Sequence, residues 1–288
     1  MDITSDMIKK LRDKTGAGMM DCKRALEASH GDMDAAIEYL RKKGAAVAQK
    51  RADRSATEGM IVTRVSADGK LGVVVEVNCE TDFVGKSEDF SEFAALVAEV
   101  VARHRPADIG TLHGHTSSTG RKIAEHLHEL LAKVGEKIEI RRFDVVESPD
   151  GVVACYTHLG HKIGVLVELT GLKVEDALHG PGRDIAMQVA AMNPTVVGRD
   201  QIDKATIEHE LEIYRTQAKN EGKKEQVIDR IAMGKLEKFY QEVCLLEQTF
   251  IKDQGKTVKD VLAEAGKAAG TTPTVKRFLR FHLGEETK

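Results

Sequence analysis

Five histidines between positions 104 and 128 are the residues of this chain best suited to metal chemistry. They are His104, His113, His115, His126 and His128. Zinc ligands must converge on one point, yet His126 and His128 lie two positions apart in a predicted helix and point to different faces. His113 and His115 fall in a segment rich in Gly, Thr and Ser that we predict to be a loop. The spacing favours solvated histidines, and we expect no bound metal.

Phosphate chemistry has a similarly incomplete signature. Gly85-Lys86-Ser87 matches the end of a phosphate-binding loop, but Glu80 occupies the position of the first glycine of that loop. The sequence contains no G-x-S-x-G, no H-E-x-x-H and no dinucleotide-binding fingerprint. We therefore predict a binding protein rather than an enzyme, with no catalytic residues and no cofactor.

One aromatic residue, Phe83, stands out in a chain with no Trp and 4% aromatic residues. It follows the apolar run Leu71–Val77, which predicts a buried strand, and it lies between Asp82 and Val84. A phenylalanine in a loop ordinarily folds back onto the core. At the end of a strand, it could instead be held outward on a rigid base as a wedge.

An internal repeat helps to decide between these two positions. Gly151 stands 92 positions after Gly59, and at the same shift the run KLGVVVE at 70–76 aligns with KIGVLVE at 162–168. Two copies of one scaffold should share their core residues, so a core role for Phe83 predicts an apolar counterpart. The residue at that position is Glu175, and the comparison therefore favours an exposed, functional Phe83.

Bulk composition limits the classes of function. With 288 residues the chain is long enough for two or three domains, and its formal net charge of −3 provides no bulk attraction for nucleic acid. Its four cysteines form no C-x-x-C pair, which fits a reducing compartment. No signal peptide opens the chain, and its apolar runs are too short to span a membrane. We expect a cytoplasmic protein that binds neither nucleic acid nor membranes directly.

The N-terminal residues predict a module of three short helices. Thr4 and Asp32 are suited to cap the first and third helices, and the second helix is predicted over Met20–Ser29. Gly44 is predicted to end the third helix. The segment Ala45–Thr57, rich in Ala, Lys and Arg, predicts a mobile helical linker.

Each repeat then predicts a β-hairpin, a helix and a closing strand, which together indicate an α+β fold. In the first repeat, strands at 59–64 and 71–78 flank the turn signal Ala67-Asp68-Gly69. The other predicted elements are helices at 90–104, 118–134, 184–192 and 258–265, and strands at 137–146, 151–156, 162–170 and 275–283. Residues 202–245 interrupt the second repeat, and their narrow apolar stripe predicts an antiparallel helical hairpin that projects from the body.

Three motifs in this chain resemble the signatures of the bacterial elongation factor Ts family. They are RDKTGAGMMDCKRAL at 12–26, VEVNCETDFV at 75–84 and HLGHKIGVLV at 158–167. Their order and spacing also fit the family, and the similarity covers nearly the whole chain. The resemblance implies a ubiquitin-associated-like three-helix module at 1–53. It also implies a first core repeat at 54–147, carrying the Thr81–Val84 loop, and a second at 148–288, interrupted by the hairpin at 202–245.

The resemblance also implies a function in translation elongation. Members of the family are guanine-nucleotide exchange factors that bind elongation factor Tu in its GDP-bound and nucleotide-free forms. They disturb its Mg²⁺ and phosphate site, so that GDP leaves and GTP can bind. By analogy, the residues that displace Mg²⁺ are Thr81, Asp82, Phe83 and Val84. The docking residues are Arg12, Met19 and Met20, facing the GTPase domain, and His158, facing the distal β-barrel domain of the partner.

Several alternatives remain open from the sequence. Asp82 either repels phosphates by its charge or hydrogen-bonds a loop amide and so aims Phe83. Of Met19 and Met20, we expect one to be exposed and the other to pack inside. A general adaptor that uses the three-helix module and a metal-dependent hydrolase built on the histidines are the two rival functions. The helical hairpin either pairs two copies in a homodimer or contacts the partner.

Overall fold

The computed structural model describes residues 3–51 and 53–286, and within these ranges it shows the predicted α+β fold. The helices are α1 (Ser5–Thr15), α2 (Met19–Ala28), α3 (Met33–Lys50), α4 (Asp82–Gly85), α5 (Glu88–His104), α6 (Ile109–Gly114), α7 (Ile123–Val134), α8 (Val174–His179), α9 (Pro181–Met192), α10 (Lys204–Asn220), α11 (Glu225–Val243) and α12 (Val258–Ala269). The strands are β1 (Glu58–Val65), β2 (Leu71–Cys79), β3 (Ile138–Glu147), β4 (Val152–Thr157), β5 (Ile163–Thr170), β6 (Thr249–Phe250), β7 (Asp253–Thr257) and β8 (Thr274–His282). The predicted module, linker and second repeat include residues 1–2, 52 and 287–288, which lie outside the described ranges.

Two three-stranded antiparallel sheets form the centre of the molecule. Their strand orders are β1-β2-β3 and β4-β5-β8, so both predicted β-hairpins are confirmed. The sheets pack face to face. Helices α5 and α7 cover the outer face of the first sheet, and α9 and α12 cover that of the second. Because β2 and β5 are buried on both faces, their sequences are almost continuously apolar.

The two sheets approach each other closely at equivalent glycines of the repeat. A Cβ atom on Gly72 would lie 2.5 Å from Cγ1 of Val153, and a Cβ atom on Gly164 would clash in the same way with Ile61. Gly72 and Ile61 occupy the same repeat positions in the first copy as Gly164 and Val153 do in the second. The sequence repeat is therefore a structural duplication in which each copy packs against the same surface of the other.

A buried glutamate that is paired with an arginine also occurs in both copies. Glu76 on β2 is fully buried and accepts a hydrogen bond from Nε of Arg142 at 2.6 Å and another from the backbone amide of Gly284 at 2.9 Å. Glu168 on β5 accepts from Nε of Arg277 at 2.9 Å. Burial alone raises the pKa of Glu168, but hydrogen bonding and charge from Arg277 outweigh it and hold the pKa below its usual range. Arg142 and Arg277 thus each supply a cationic hydrogen-bond donor to a carboxyl group that is buried in a sheet.

The N-terminal module contains the three predicted helices, but its third helix is longer than predicted. Helix α3 continues through Gly44 to Lys50, so the first part of the predicted linker is helical. Gly44 has a different role from the predicted one. A Cβ atom at this position would lie 2.5 Å from the carbonyl oxygen of His128 on α7. Glycine is therefore required for the close crossing of α3 and α7, by which the module rests on the first repeat.

We expect Gly44→Ala to lower the melting temperature, although glycine-to-alanine changes inside helices ordinarily stabilise by about 1 kcal/mol. The added methyl group would push α3 away from α7. Gly234→Ala in α11 is the matched control, because a Cβ atom there meets nothing within 4 Å in the described structure. It should raise stability by roughly 0.5–1 kcal/mol. Differential scanning calorimetry of both variants tests the difference in sign, and two equal increases would contradict the close crossing.

Several short elements differ from the sequence predictions. The predicted loop around His113 contains α6, which Asp108 caps by accepting from the amide of Thr111 at 2.6 Å and which buries Leu112 completely. Helix α7 begins at Ile123 rather than at Ser118, and α8 was not predicted. Helices α10 and α11 form the predicted antiparallel hairpin, which Arg215–Asp229 and Lys235–Glu221 ion pairs connect across its seam. Within the described ranges, no helix is both long and apolar enough to cross a membrane.

Candidate functional site

The Thr81–Val84 segment is a capped helical turn rather than the predicted loop. Thr81 has extended backbone angles, and its hydroxyl accepts a hydrogen bond from the amide of Val84 at 3.5 Å, which begins α4. Threonine is favoured at this position because its side chain satisfies an amide that has no partner within the helix. The turn ends against β1, since a Cβ atom on Gly85 would lie 3.3 Å from the Cα atom of Gly59.

Phe83 is the one member of this turn that projects fully into solvent. Its side chain is 84% exposed, which agrees with the exposed position predicted from the repeat. The neighbouring Val84 packs against the core of the first sheet. A large exposed aromatic side chain on a short, anchored turn is suited to enter a pocket on another protein.

The base of the turn is held by groups that the sequence motif alone does not identify. The thiol of Cys79 donates to the carbonyl of Thr81 at 3.1 Å, and burial, aided by the nearby Glu136, raises the pKa of this thiol to about 12. Cys79 is therefore a packing group and not a nucleophile. Glu136, from the segment before β3, accepts hydrogen bonds from both the amide and the hydroxyl of Thr81. The turn is thus attached on two sides.

Asp82 forms an ion pair along the outer surface of the turn. Its carboxylate accepts a hydrogen bond from Nζ of Lys86 at 2.6 Å, four residues later. This bond, together with the charge of Lys86, lowers the pKa of Asp82 and raises that of Lys86. The backbone amide of Val84 donates to the hydroxyl of Thr81 and not to Asp82. The structure therefore shows Asp82 bonded to the side chain of Lys86, whereas the sequence analysis considered a bond to a loop amide.

The Asp82–Lys86 pair gives a pH-dependent prediction. Because the folded pKa of Asp82 is lowered below its ordinary value of 3.8, the pair contributes above about pH 4 and is lost as the pH falls through the folded pKa. In a carboxyl-detected NMR titration, we expect Lys86→Met to move the Asp82 midpoint up towards 3.8. Lys162→Met should move it less, because Lys162 contributes only a smaller charge effect. Equal midpoints in wild type and Lys86→Met would contradict the pair.

A second exposed apolar side chain lies at the tip of the β4–β5 hairpin. Leu159 is 89% exposed and follows His158, whose Nδ1 atom lies 3.0 Å from the hydroxyl of Tyr156. This hairpin turn is tied to the Phe83 side of the molecule by an ion pair at 2.8 Å between Lys162 and Glu58, which starts β1. Leu159 was not identified from the sequence. The sequence feature that could have identified Leu159 is an apolar residue beside Gly160 in a turn between His158 and His161.

The other predicted docking residues lie on the N-terminal module. Arg12 on α1 is exposed, and Met19 and Met20 at the start of α2 are 47% and 59% exposed. The expectation that one of the two methionines packs inside was wrong, since the inward positions of α2 are filled by Cys22, Ala25 and Leu26. The structure therefore leaves two adaptable side chains next to each other on one surface.

The histidines form small local contacts in the first repeat. His104 and His115 stack with ring centroids 4.5 Å apart, and Nε2 of His126 lies within hydrogen-bond distance of Ser117 and Thr119. His113 is half-buried rather than the solvated histidine that we predicted, and this burial lowers its pKa. Among residues 3–51 and 53–286, no group of three or more His, Cys, Asp or Glu side chains is placed to hold a metal ion.

Sequence comparisons add independent information. A profile of the family described as Elongation factor TS matches residues 80–285. Curated proteins named elongation factor Ts from Chloroherpeton thalassium and Prosthecochloris aestuarii are 44% and 45% identical to this chain, over 99% and 98% of its length and 99% of theirs. The protein of that name from Clostridium perfringens is 44% identical over 98% of this chain and 93% of its own. The profile match includes the segment with Phe83, the alignments to the curated proteins extend over nearly the whole chain, and this chain belongs to the elongation factor Ts family.

Proposed function

We propose that this chain is a guanine-nucleotide exchange factor for elongation factor Tu. It binds the GDP-bound GTPase, disturbs the Mg²⁺ and phosphate site and promotes the release of GDP, so that GTP can bind. The observation that carries this proposal is the 84% exposure of Phe83 on an anchored turn, in a chain of the elongation factor Ts family.

The proposed mechanism needs a rigid wedge and no bond-breaking chemistry. GTPases hold GDP through backbone amides of the phosphate loop, a lysine and Mg²⁺. Protein interiors have no spare volume, so a phenylalanine that enters between packed helices must displace them. A small displacement weakens several charge-assisted hydrogen bonds to the phosphates and the metal together. Thr81 and Val84 would anchor the wedge, and the charge of Asp82 would lie beside the phosphates.

Thermodynamic linkage supplies the direction of exchange. If the factor weakens GDP binding, GDP weakens binding of the factor by the same ratio. The factor therefore binds the nucleotide-free GTPase most tightly, and incoming GTP expels it. No covalent intermediate is involved, so the chain would act without a catalytic side chain of its own.

The remaining exposed groups supply docking surfaces in this proposal. Arg12, Met19 and Met20 on the module at 1–53 would contact the GTPase domain, where flexible methionine side chains adapt to an irregular surface. In the repeat at 148–288, His158 and Leu159 would contact a second domain of the partner. The repeat at 54–147 would carry the wedge between them. A role in translation elongation also implies that the chain acts in the cytoplasm.

The test is release of a fluorescent GDP analogue from elongation factor Tu, chased with excess GDP. We expect substoichiometric amounts of the native chain to accelerate release, because an exchange factor turns over. Release at the intrinsic rate, at every concentration of the chain, would overturn the proposed function and favour a general adaptor.

A further inference from the structure

Two glutamates next to the Phe83 turn each accept a hydrogen bond from the chain segment that contains the other glutamate. Glu80 follows β2, and its carboxylate accepts a hydrogen bond from the backbone amide of Lys137 at 2.6 Å. Glu136 precedes β3, and its carboxylate accepts from the backbone amide of Thr81 at 3.1 Å. Each carboxylate thus bonds to the backbone of the residue that follows the other. We call this reciprocal pair of contacts the glutamate brace.

The Glu80 half of the brace is electrically compensated. Its side chain is mostly buried and is paired with Arg54 at 3.0 Å and with Arg51 at 3.5 Å. The hydrogen bond from the Lys137 amide, followed by bonding and charge from the two arginines, lowers the pKa of Glu80. Glu80 therefore stays ionised, and it attaches the end of the linker to the base of the turn.

The Glu136 half of the brace controls the cap of α4. Thr81 donates its single hydroxyl proton to Glu136 at 2.9 Å, which leaves the lone pairs of the hydroxyl oxygen for the amide of Val84. The side chain of Thr81 is therefore fixed by a donor contact and an acceptor contact at once. Because the capped turn begins at this residue, its orientation decides where the next turn residues, including Phe83, point.

We propose that Glu136 and Glu80 are positioning residues for nucleotide exchange, acting through Thr81 on the direction and rigidity of Phe83. This inference rests on the proposed function. A wedge displaces packed helices only if its own base does not yield, and a side chain that is already ordered loses less entropy when it enters a pocket. The two glutamates touch neither the nucleotide nor the partner in this role.

The test is the saturating rate of GDP release, measured at increasing concentrations of each variant. Removing one or two hydrogen bonds predicts that Glu136→Ala lowers this rate by about 3- to 10-fold. The concentration for half-saturation should stay the same, because the docking surfaces are unchanged. Glu136→Gln keeps an acceptor oxygen for Thr81 and should recover most of the rate. Glu80→Ala should act in the same direction as Glu136→Ala.

Two further variants separate positioning from a general structural effect. Glu139→Ala removes a carboxylate from the same chain segment, which is bonded to Nζ of Lys137 and not to the turn, and should leave the rate unchanged. The double variant Phe83→Ala/Glu136→Ala should be no slower than Phe83→Ala alone. If Glu136→Ala does not fold, Thr81→Val removes the hydroxyl and should show the same loss.

The outcomes distinguish this inference from the function on which it rests. If the native chain accelerates release but Glu136→Ala or Thr81→Val retains the full saturating rate, the positioning role is wrong and exchange stands. Multiplying effects in the double variant would also overturn it, since Glu136 would then act independently of Phe83. If the native chain does not accelerate release, the proposed function itself fails.

Discussion

Phe83→Ala is expected to lower the saturating rate of GDP release from elongation factor Tu by about 30-fold. Truncation of a central aromatic anchor at an interface ordinarily removes about 2 kcal/mol or more, which corresponds to this factor. In the proposed mechanism, that interaction is made while the phosphate site is displaced. Its loss should therefore appear in the rate rather than in the concentration needed for half-saturation. Stopped-flow release of a fluorescent GDP analogue measures both quantities.

Leu159→Ala provides the matched control, because it removes an equally exposed apolar side chain from the other copy of the repeat. We expect it to raise the half-saturating concentration and to leave the saturating rate nearly unchanged. Neither change should alter the free energy of unfolding by more than about 0.5 kcal/mol, since both side chains lie in solvent. A full saturating rate in Phe83→Ala would transfer the exchange mechanism to other contacts.

Arg142→Met is expected to reduce the free energy of unfolding by roughly 3 kcal/mol, because the fully buried carboxylate of Glu76 loses its hydrogen-bonded cation. Of the cations that the structure describes beside this carboxylate, only Arg141 then remains, with its Nε atom 4.0 Å away, which is too far for a hydrogen bond. Arg142 also lies 4.1 Å from the ring centroid of Phe281 and donates to the carbonyl of His282 at 3.1 Å. Its loss should therefore loosen the contact between the two sheets as well. Equilibrium unfolding in urea, followed by circular dichroism, measures the effect.

The repeat provides its own control in Arg277→Met. This variant removes the equivalent partner of Glu168, but Lys276 remains 3.5 Å from that carboxylate and the Arg277 side chain is about half exposed. We expect less than half of the destabilisation caused by Arg142→Met. Equal losses in the two variants would show that neither the remaining cation nor the exposure of the arginine determines the penalty.

The sheets and long helices were predictable because their residues repeat at the spacing of the element. The apolar runs of β2 and β5, the Asp68-Gly69 turn and the wide faces of α5 and α9 each carry a local signal. The duplication was also visible, since it preserves Gly72 and Glu76 at Gly164 and Glu168. These parts depend on contacts within one repeat or between equivalent surfaces of the two repeats.

The short helices and Gly44 were not predictable in the same way. Helices α4, α6 and α8 contain too few residues to show a period. Gly44 was interpreted as a helix end because glycine commonly ends helices. Its actual constraint comes from a carbonyl on α7, far away in sequence, and no local pattern records such a contact. One of the two methionines was misplaced for a similar reason, since the core positions of the module were already filled by other residues.

The candidate site was visible only in part. The exposure of Phe83 could be inferred because its counterpart in the repeat, Glu175, is polar. The contacts that orient the turn could not, because helices α4 to α7 separate Glu136 from Thr81 in the chain, and the two residues meet only when β3 pairs with β2. A residue whose exposed side chain could contact a partner is thus easier to identify from sequence than the residues that orient that side chain.

The number of residues that separate the central strand from the last strand of each sheet differs between the two copies. This difference bears on how the two sheets form during folding. In the first copy residues 80–137 separate β2 from β3, whereas in the second residues 171–273, including α10 and α11, separate β5 from β8. The entropy of loop closure grows only with the logarithm of loop length, so less than a doubling costs under about 0.6 kcal/mol. The helical hairpin therefore imposes almost no thermodynamic burden on formation of the sheet that it interrupts. Its length can change while both copies keep the same strand pairing.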